Sequence, residues 1–526
     1  KINSTSQINS LNGIVELAGS SPQTISGSLF SNKLIGSFVI SNFNGVSIIS
    51  DTLKVKKELV FDAYNCTLNT NGYLYLLSSD TITARIGDMT SCRILGNVTV
   101  ERFVPIHPAK WQLLSVPTTG QTINQSWQEG NAPAVNNNPG FGTIITSNIT
   151  NPTLFGFDGF SPGGVGMKWY DETIGQYRAV TNTNSPIQTN TGYMLFVRGD
   201  RSVLNSSQPA TKTILRTTGT IYSPIDNPPP TINVSADTFQ SVNNFYASSI
   251  NYNNITKTGG VQNVFYLWDP SLSGNYGLGG WQTFIWNGST YSVAPGGGNY
   301  SNGNTNIPSG SAFFVRAEGS AGTLQFTENC KVVGSDLVLR QSTQQIKSIS
   351  VNLNYADSSN TIFDGVISIF GDGYSNNVDK DDAIKMNVYS GISIINNGKK
   401  LAGETRKSLS NDTIQLYIQN LRNNQYNLKI VCNNIISNEK ITLYDRFTST
   451  SLKIKPNKIN NYNFQINDSL LSKNPFRFYY IIERNNQSYF VDSLDNKITI
   501  YPNPNDNEFY IKLNNVEDGN YLMYII

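Results

Sequence analysis

The sequence predicts an all-β protein built as a string of β-solenoid-like or β-sandwich modules. Three observations carry that expectation. Charged residues make up only 14% of the 526, so polarity comes from Asn, Ser, Thr and Gly, a mixture suited to strands joined by tight turns. The large apolar groups are 27 Tyr and 25 Phe, which fit pleated, half-buried surfaces. Short apolar runs, several of period two, recur between Asn/Gly turn signals along the chain. A chain of 526 residues exceeds one core, so several domains are expected.

Charge and cysteine usage exclude several classes. With 38 basic against 36 acidic residues there is no electrostatic footprint for nucleic acid or anionic lipid. No stretch approaches the roughly 20 apolar residues that span a bilayer, so no transmembrane segment is expected. Cys66, Cys92, Cys330 and Cys432 form no C-x-x-C pair, which rules out zinc ribbons and thioredoxin-like sites. Four small buried thiols are expected, with a Cys66–Cys92 bridge as the alternative in an oxidising compartment. Lys1 opens no signal segment, and Tyr521–Ile526 reads as a strand without a following turn. Both features lead us to expect a piece of a larger protein.

Residues 1–98 alternate runs such as Ser37-Phe38-Val39-Ile40 with Asn12-Gly13, Asn44-Gly45 and Asn71-Gly72. Asn-Gly supplies the positive φ of tight turns, and the spacing of about 30 residues predicts coils of a β-solenoid, with a sandwich as the alternative. Residues 99–342 change texture, with all six tryptophans among Gly/Asn/Pro loops. A duplicated module is expected, 99–215 and 216–342. It pairs Trp169-Tyr170-Asp171 and Phe196-Val197-Arg198 with Trp281–Asn287 and Phe314-Val315-Arg316. Residues 343–486 alternate cleanly, as in Ile414-Gln415-Leu416-Tyr417-Ile418, and predict a β-sandwich. The one helical turn expected there is Asp379–Met386, which opens on acidic residues. In 487–526, a connector leads to two strands separated by Pro502 and Pro504.

The segment Ile500-Tyr501-Pro502-Asn503-Pro504, followed by Glu508-Phe509-Tyr510-Ile511, resembles the C-terminal sorting domain of type IX secretion substrates of Bacteroidota. It departs from that pattern in lacking the later strands and a terminal basic residue. Gly96–Pro105, Trp111–Pro117 and Gln121–Gly130 are similar to non-catalytic repeats of very large surface proteins, including gliding adhesins, of the same bacteria. The resemblance implies a secreted or surface-held protein exported across the outer membrane. It also implies a sorting signal at Tyr501, Pro502, Asn503 and Pro504, and as partners the type IX translocon with its outer-membrane barrel protein that binds sorting domains. Asp-(Ser/Thr)-aliphatic triplets resemble the O-glycosylation acceptor pattern of such proteins. They would place glycans on Thr52, Thr81, Thr413, Ser469 and Ser493.

No catalytic residue is expected. The single His107 lacks a nucleophile motif around it, and no G-x-S-x-G, H-E-x-x-H or Walker A pattern occurs. Asp158, Asp171 and Asp269 lie near aromatics and could form the pair of a carboxylate-only glycosidase, but carboxylates that cap loops by accepting backbone N–H bonds are much commoner. Trp127, Trp169, Trp281 and Trp286 are candidates for stacking on surface glycans, against the competing reading that they fill module cores. Asp372, Asp379, Asp381 and Asp382 gather hard oxygen ligands in one loop. They make Ca2+ the one candidate cofactor, although the spacing fits no EF-hand and a solvated turn at a helix N-terminus explains them too. The function expected is that of an adhesive or structural surface protein, with the non-catalytic tail of a secreted hydrolase and a carbohydrate-binding module as alternatives.

Overall fold

The computed structural model describes residues 7–130, 136, 138–159, 163–205, 207–300, 303–332, 346–356, 361–386, 389–436 and 438–484, with the strands at 498–502 and 509–513 described by their backbone. The chain is all-β, in several sheets that share cores.

The first unit is a parallel β-solenoid. One sheet stacks Ile8–Leu17, Phe30–Ile40, Leu53–Phe61, Leu74–Leu76 and Val98–Val104 in parallel, and a second stacks Gln23–Ser26, Val46–Ser50, Thr67–Asn69 and Arg93–Leu95. Like residues fall into ladders: Leu53, Leu74 and Val98 lie over one another, as do Val46 and Leu68, and all five are buried. Each ladder dries the strand below it, so a thin coil that cannot bury its own face is stabilised by its neighbour. The step between coils runs from 20 residues (Leu34 to Lys54) to 26 (Leu68 to Ile94), shorter than the Asn-Gly spacing predicts. The reason is that Asn12-Gly13 lies inside Ile8–Leu17, at a register irregularity, and makes no corner. Asn71-Gly72, with φ of 46° and 80°, is the turn its sequence predicts. All four cysteines are free and buried. Burial, with Cys92 beside it, pushes the Cys66 thiol up to about 11.

Val98–Val104 pairs antiparallel with Thr213–Ile221, so a cut at 98 or at 215 passes through strands of the solenoid sheet. Between them the chain makes an excursion, a four-stranded antiparallel sheet in the order Lys110–Leu114, Tyr193–Val197, Met167–Asp171, Gln176–Ala179. The next unit repeats that order with one strand more: Phe239–Asn243, Ala312–Ala317, Val261–Asp269, Gly280–Trp286, Tyr291–Ala294. The strand in the place of Met167–Asp171 is therefore Val261–Asp269, not the Trp281 strand that the tryptophan match suggested. Both equivalent strands end on an Asp whose carboxylate caps the turn two residues on: Asp171 accepts from Thr173 N at 3.1 Å, and Asp269 from Ser271 N at 2.7 Å.

The two repeats pack against each other. Ser115 N donates to Gly310 O at 3.0 Å, and Gly192 N to Ser241 Oγ at 3.0 Å. A Cβ at Gly192 would lie 2.3 Å from the Ala312 Cβ, so only glycine allows this approach. One apolar cluster joins Tyr170 and Met194 of the first repeat, Tyr266 and Phe314 of the second, and Ile367 and Met386 of the C-terminal unit. The second repeat is thus buried on both faces of its sheet.

Residues 348–484 form one 11-stranded sheet, antiparallel except where Ile362–Phe370 runs parallel to Lys399–Arg406. It rolls around a single core. The two ends of the sheet meet where Tyr462 Oη, on one edge strand, lies 2.9 Å from Thr450 Oγ1 on the other. The expected helical turn at Asp379–Met386 is absent. The Asp382 carboxylate accepts from Asp379 N at 2.9 Å and from Thr405 N at 2.8 Å, and Ala383–Ile384 extends as a short strand against Lys399–Arg406. The one α-helix among the described residues is Ile123–Trp127, with a capping box in which Thr122 and Gln125 bond reciprocally. After the rolled sheet, Ile498–Pro502 and Phe509–Leu513 form a separate antiparallel hairpin with Pro502 opposite Phe509.

Candidate functional site

The structure disperses most residues singled out in the sequence. Trp127 is 2% exposed and meets Tyr193 edge-on in the first repeat's core, so neither of its faces is free for a sugar. Trp169, Trp281 and Trp286 are half-buried, packed against apolar clusters. The three carboxylates in aromatic surroundings do not converge. Asp158 is fully buried against Arg201, at 2.7 Å, and accepts from Gln128 and from Ile145 N. Asp171 pairs with Arg178, while Asp269 accepts from both the backbone and the side chain of Asn299. Each caps its own loop or pairs locally.

In the Asp372–Asp382 loop, Asp379 accepts from Asp381 N at 2.9 Å, and both Asp382 oxygens are taken by backbone donors. Burial pushes the Asp382 carboxyl up to about 7, against those two bonds, which favour its charge. Burial also raises Asp381, while Asp372 is exposed. Among the described residues no group of three His, Cys, Asp or Glu is placed to hold a metal. Thr81, Thr413 and Ser469 are exposed and Thr52 is half-buried, while Ser493, Asn503 and Pro504 lie outside the described residues. Tyr501 and Pro502 close the first strand of the terminal hairpin. Among the described residues no helix is long and apolar enough to cross a membrane.

A site that the sequence did not reveal lies where the solenoid hands over to the repeats. The segment from Arg102 to Gln112 faces Pro270, Ser271, Asn299, Tyr300, Asn304, Asn306 and Pro308 of the second repeat across a cleft of about 680 Å³. Arg102 anchors one wall by donating from Nη1 to Ser309 O at 2.7 Å, and Lys110 Nζ donates to Pro270 O at 2.5 Å. Burial lowers both cations from their ordinary values. His107 Nδ1 lies 2.6 Å from Pro108 O, which can only accept, so the proton sits on Nδ1, and Nε2 takes a bond from Gln112 Nε2 at 3.1 Å. Burial lowers this imidazole as well, which keeps it neutral. Asn306 is 8% exposed in the cleft wall, and neither its amide oxygen nor its amide nitrogen has a hydrogen-bond partner. The cleft can bind a polar molecule.

No protein family's sequence profile matches the chain, and neither a curated protein nor a solved structure matches it.

Proposed function

We propose that the chain is a non-catalytic part of a large extracellular or cell-surface protein, adhesive or structural in role, exported by type IX secretion through its C-terminal region. The observation that carries this reading is the hairpin of Ile498–Pro502 and Phe509–Leu513, a sheet of its own beyond the rolled sheet. Its first strand ends on Tyr501-Pro502, in the sequence Tyr501-Pro502-Asn503-Pro504. Proline removes a backbone donor and fixes φ, so a segment that carries it loses little entropy when a receptor captures it. The receptor in this reading is the outer-membrane barrel protein of the translocon. A mechanical role agrees with the packing, in which solenoid, repeats and rolled sheet share apolar clusters. Exposed Thr81, Thr413 and Ser469 suit the surface glycosylation that goes with such export.

The test fuses the region from Asn485 to the native stop to a fluorescent reporter bearing an ordinary signal peptide, in a bacterium with this secretion system. The reporter is expected in the medium or on the surface. A reporter that stays periplasmic, or a native protein still exported after losing the region, contradicts the assignment.

A further inference from the structure

We infer that the cleft between the Arg102–Gln112 segment and the second repeat is a binding site for an acidic saccharide, a sugar bearing a carboxylate such as a uronic or sialic acid. The inference extends the adhesive reading by naming a ligand class, and it is independent of the export route.

Four features point to that chemistry. The first is the unpartnered amide of Asn306, more than nine-tenths buried in the cleft wall. An amide left without partners in a buried wall costs free energy. A ligand that supplies both a donor and an acceptor removes that cost, and a pair of neighbouring sugar hydroxyls does so. The second is charge. The lining carries Arg102 and Lys110 and neither Asp nor Glu, in a chain whose basic and acidic residues nearly balance at 38 and 36. Asp269, which lies near enough to Lys110 to act on it through charge, has its oxygens engaged by Asn299 and by Ser271 N.

The third feature is the apolar part of the lining. Phe103, Tyr300 and the rings of Pro105, Pro108 and Pro308 offer surfaces against which the C–H face of a pyranose packs. The fourth is size. About 680 Å³ falls within the range of small-molecule sites and accommodates one or two sugar rings. The cations sit in partly dry surroundings, where a carboxylate partner gains more than it would in water. In this arrangement Lys110 and Arg102 take the carboxylate, Asn306 reads the hydroxyls, and His107, held neutral, forms part of the wall.

The experiment titrates the purified chain by calorimetry with digalacturonate and with N-acetylneuraminate, using galactose and acetate as controls at equal concentration. At least one acidic sugar is expected to bind, more weakly as salt rises, with galactose and acetate at least tenfold weaker. Asn306→Ala and Lys110→Met are each expected to weaken binding about tenfold, the loss of roughly one good polar contact. Ser271→Trp, placed on an exposed lining residue, is expected to block the cleft while leaving the melting temperature unchanged. Any of three results overturns the inference: neither acid binding at concentrations up to about 10 mM; galactose or acetate binding as well as the acids; or binding untouched by Ser271→Trp.

Discussion

The two repeats share a strand order but fill their interiors differently. In the first, long loops are held to the sheet by a fully buried ion pair, in which Arg201 grips both Asp158 oxygens and also donates to Thr143 O at 3.0 Å. In the second the interior is aromatic: Tyr252 and Phe284 stack on Phe265, each with ring centroids 4.3 Å away, and Phe313 and Tyr291 pack edge-on against Tyr252. The difference follows position. The first repeat is an excursion from the end of the solenoid with few neighbours, whereas the second touches the solenoid, the first repeat and the rolled sheet. A unit with partners on every side is stabilised by apolar area. One with long loops and few partners fixes them by directional bonds, which specify geometry more than they add stability.

The largest effect expected is at the ion pair. Arg201→Met leaves Asp158 charged and buried, and about 3–5 kcal/mol of stability should be lost. Adding Asp158→Leu removes the orphaned charge, so the double variant should recover most of that loss in denaturant melts. A double variant no better than the single would show that the pair stabilises in its own right. In the second repeat Phe265→Ala is expected to cost about 3–5 kcal/mol with no rescue by any single partner change, since what is lost is stacking and volume.

A smaller effect concerns pH in the rolled sheet. Asp382 is raised to about 7 by burial, so the folded state holds a proton that the unfolded chain releases near 4. Its contribution is fully present below the unfolded value and is lost as pH rises through the folded one, at up to about 1.4 kcal/mol per pH unit between those limits. Wild type minus Asp382→Asn should therefore show stability falling from pH 5 to pH 8, which thermal melts at both values will check. Smaller still, Tyr252→Phe removes a hydroxyl lying 3.0 Å from Gln262 O and 3.2 Å from Val264 O, and should cost about 1 kcal/mol. Last, alkylation should leave all four thiols unlabelled until the chain unfolds. They are buried, and the Cys66 and Cys432 thiols are pushed up to about 11 and about 12.

The all-β class was legible because strand periodicity and Asn/Gly turns are local signals. So was the solenoid, although its step was not: Asn12-Gly13 carries the same dipeptide as a corner while lying inside a strand. The helix at Ile123–Trp127 carries a local signature, the capping box Thr122-x-x-Gln125, but its five residues are too few to show a helical period in an aromatic, loop-rich stretch. At Asp379 the acidic start misled, since a tertiary bond from Thr405 N holds Asp382 in an extended segment. The repeats were visible in their shared Phe-Val-Arg strands, but matching tryptophans misaligned them. The better marker is the Asp that ends Met167–Asp171 and Val261–Asp269. The cleft could not be read at all, because Arg102 meets Ser309 across 207 residues of sequence and Asn306 resembles any loop asparagine until its neighbours are known.

The second repeat is the shared core of the first repeat and the rolled sheet. Phe314 packs edge-on against Tyr170 and Tyr177 of the first repeat, at 4.9 and 6.3 Å, and against Trp281 of its own sheet, in the cluster that also takes in Ile367 and Ile369 of the rolled sheet. Native-state hydrogen exchange on Phe314→Ala tests this directly. The prediction is that amide protection falls together in Ala312–Ala317, in Tyr193–Val197 of the first repeat and in Ile362–Phe370 of the rolled sheet, while the solenoid strand Leu53–Phe61 keeps its own. Protection lost in Ala312–Ala317 alone, with both neighbours unchanged, would contradict the shared core.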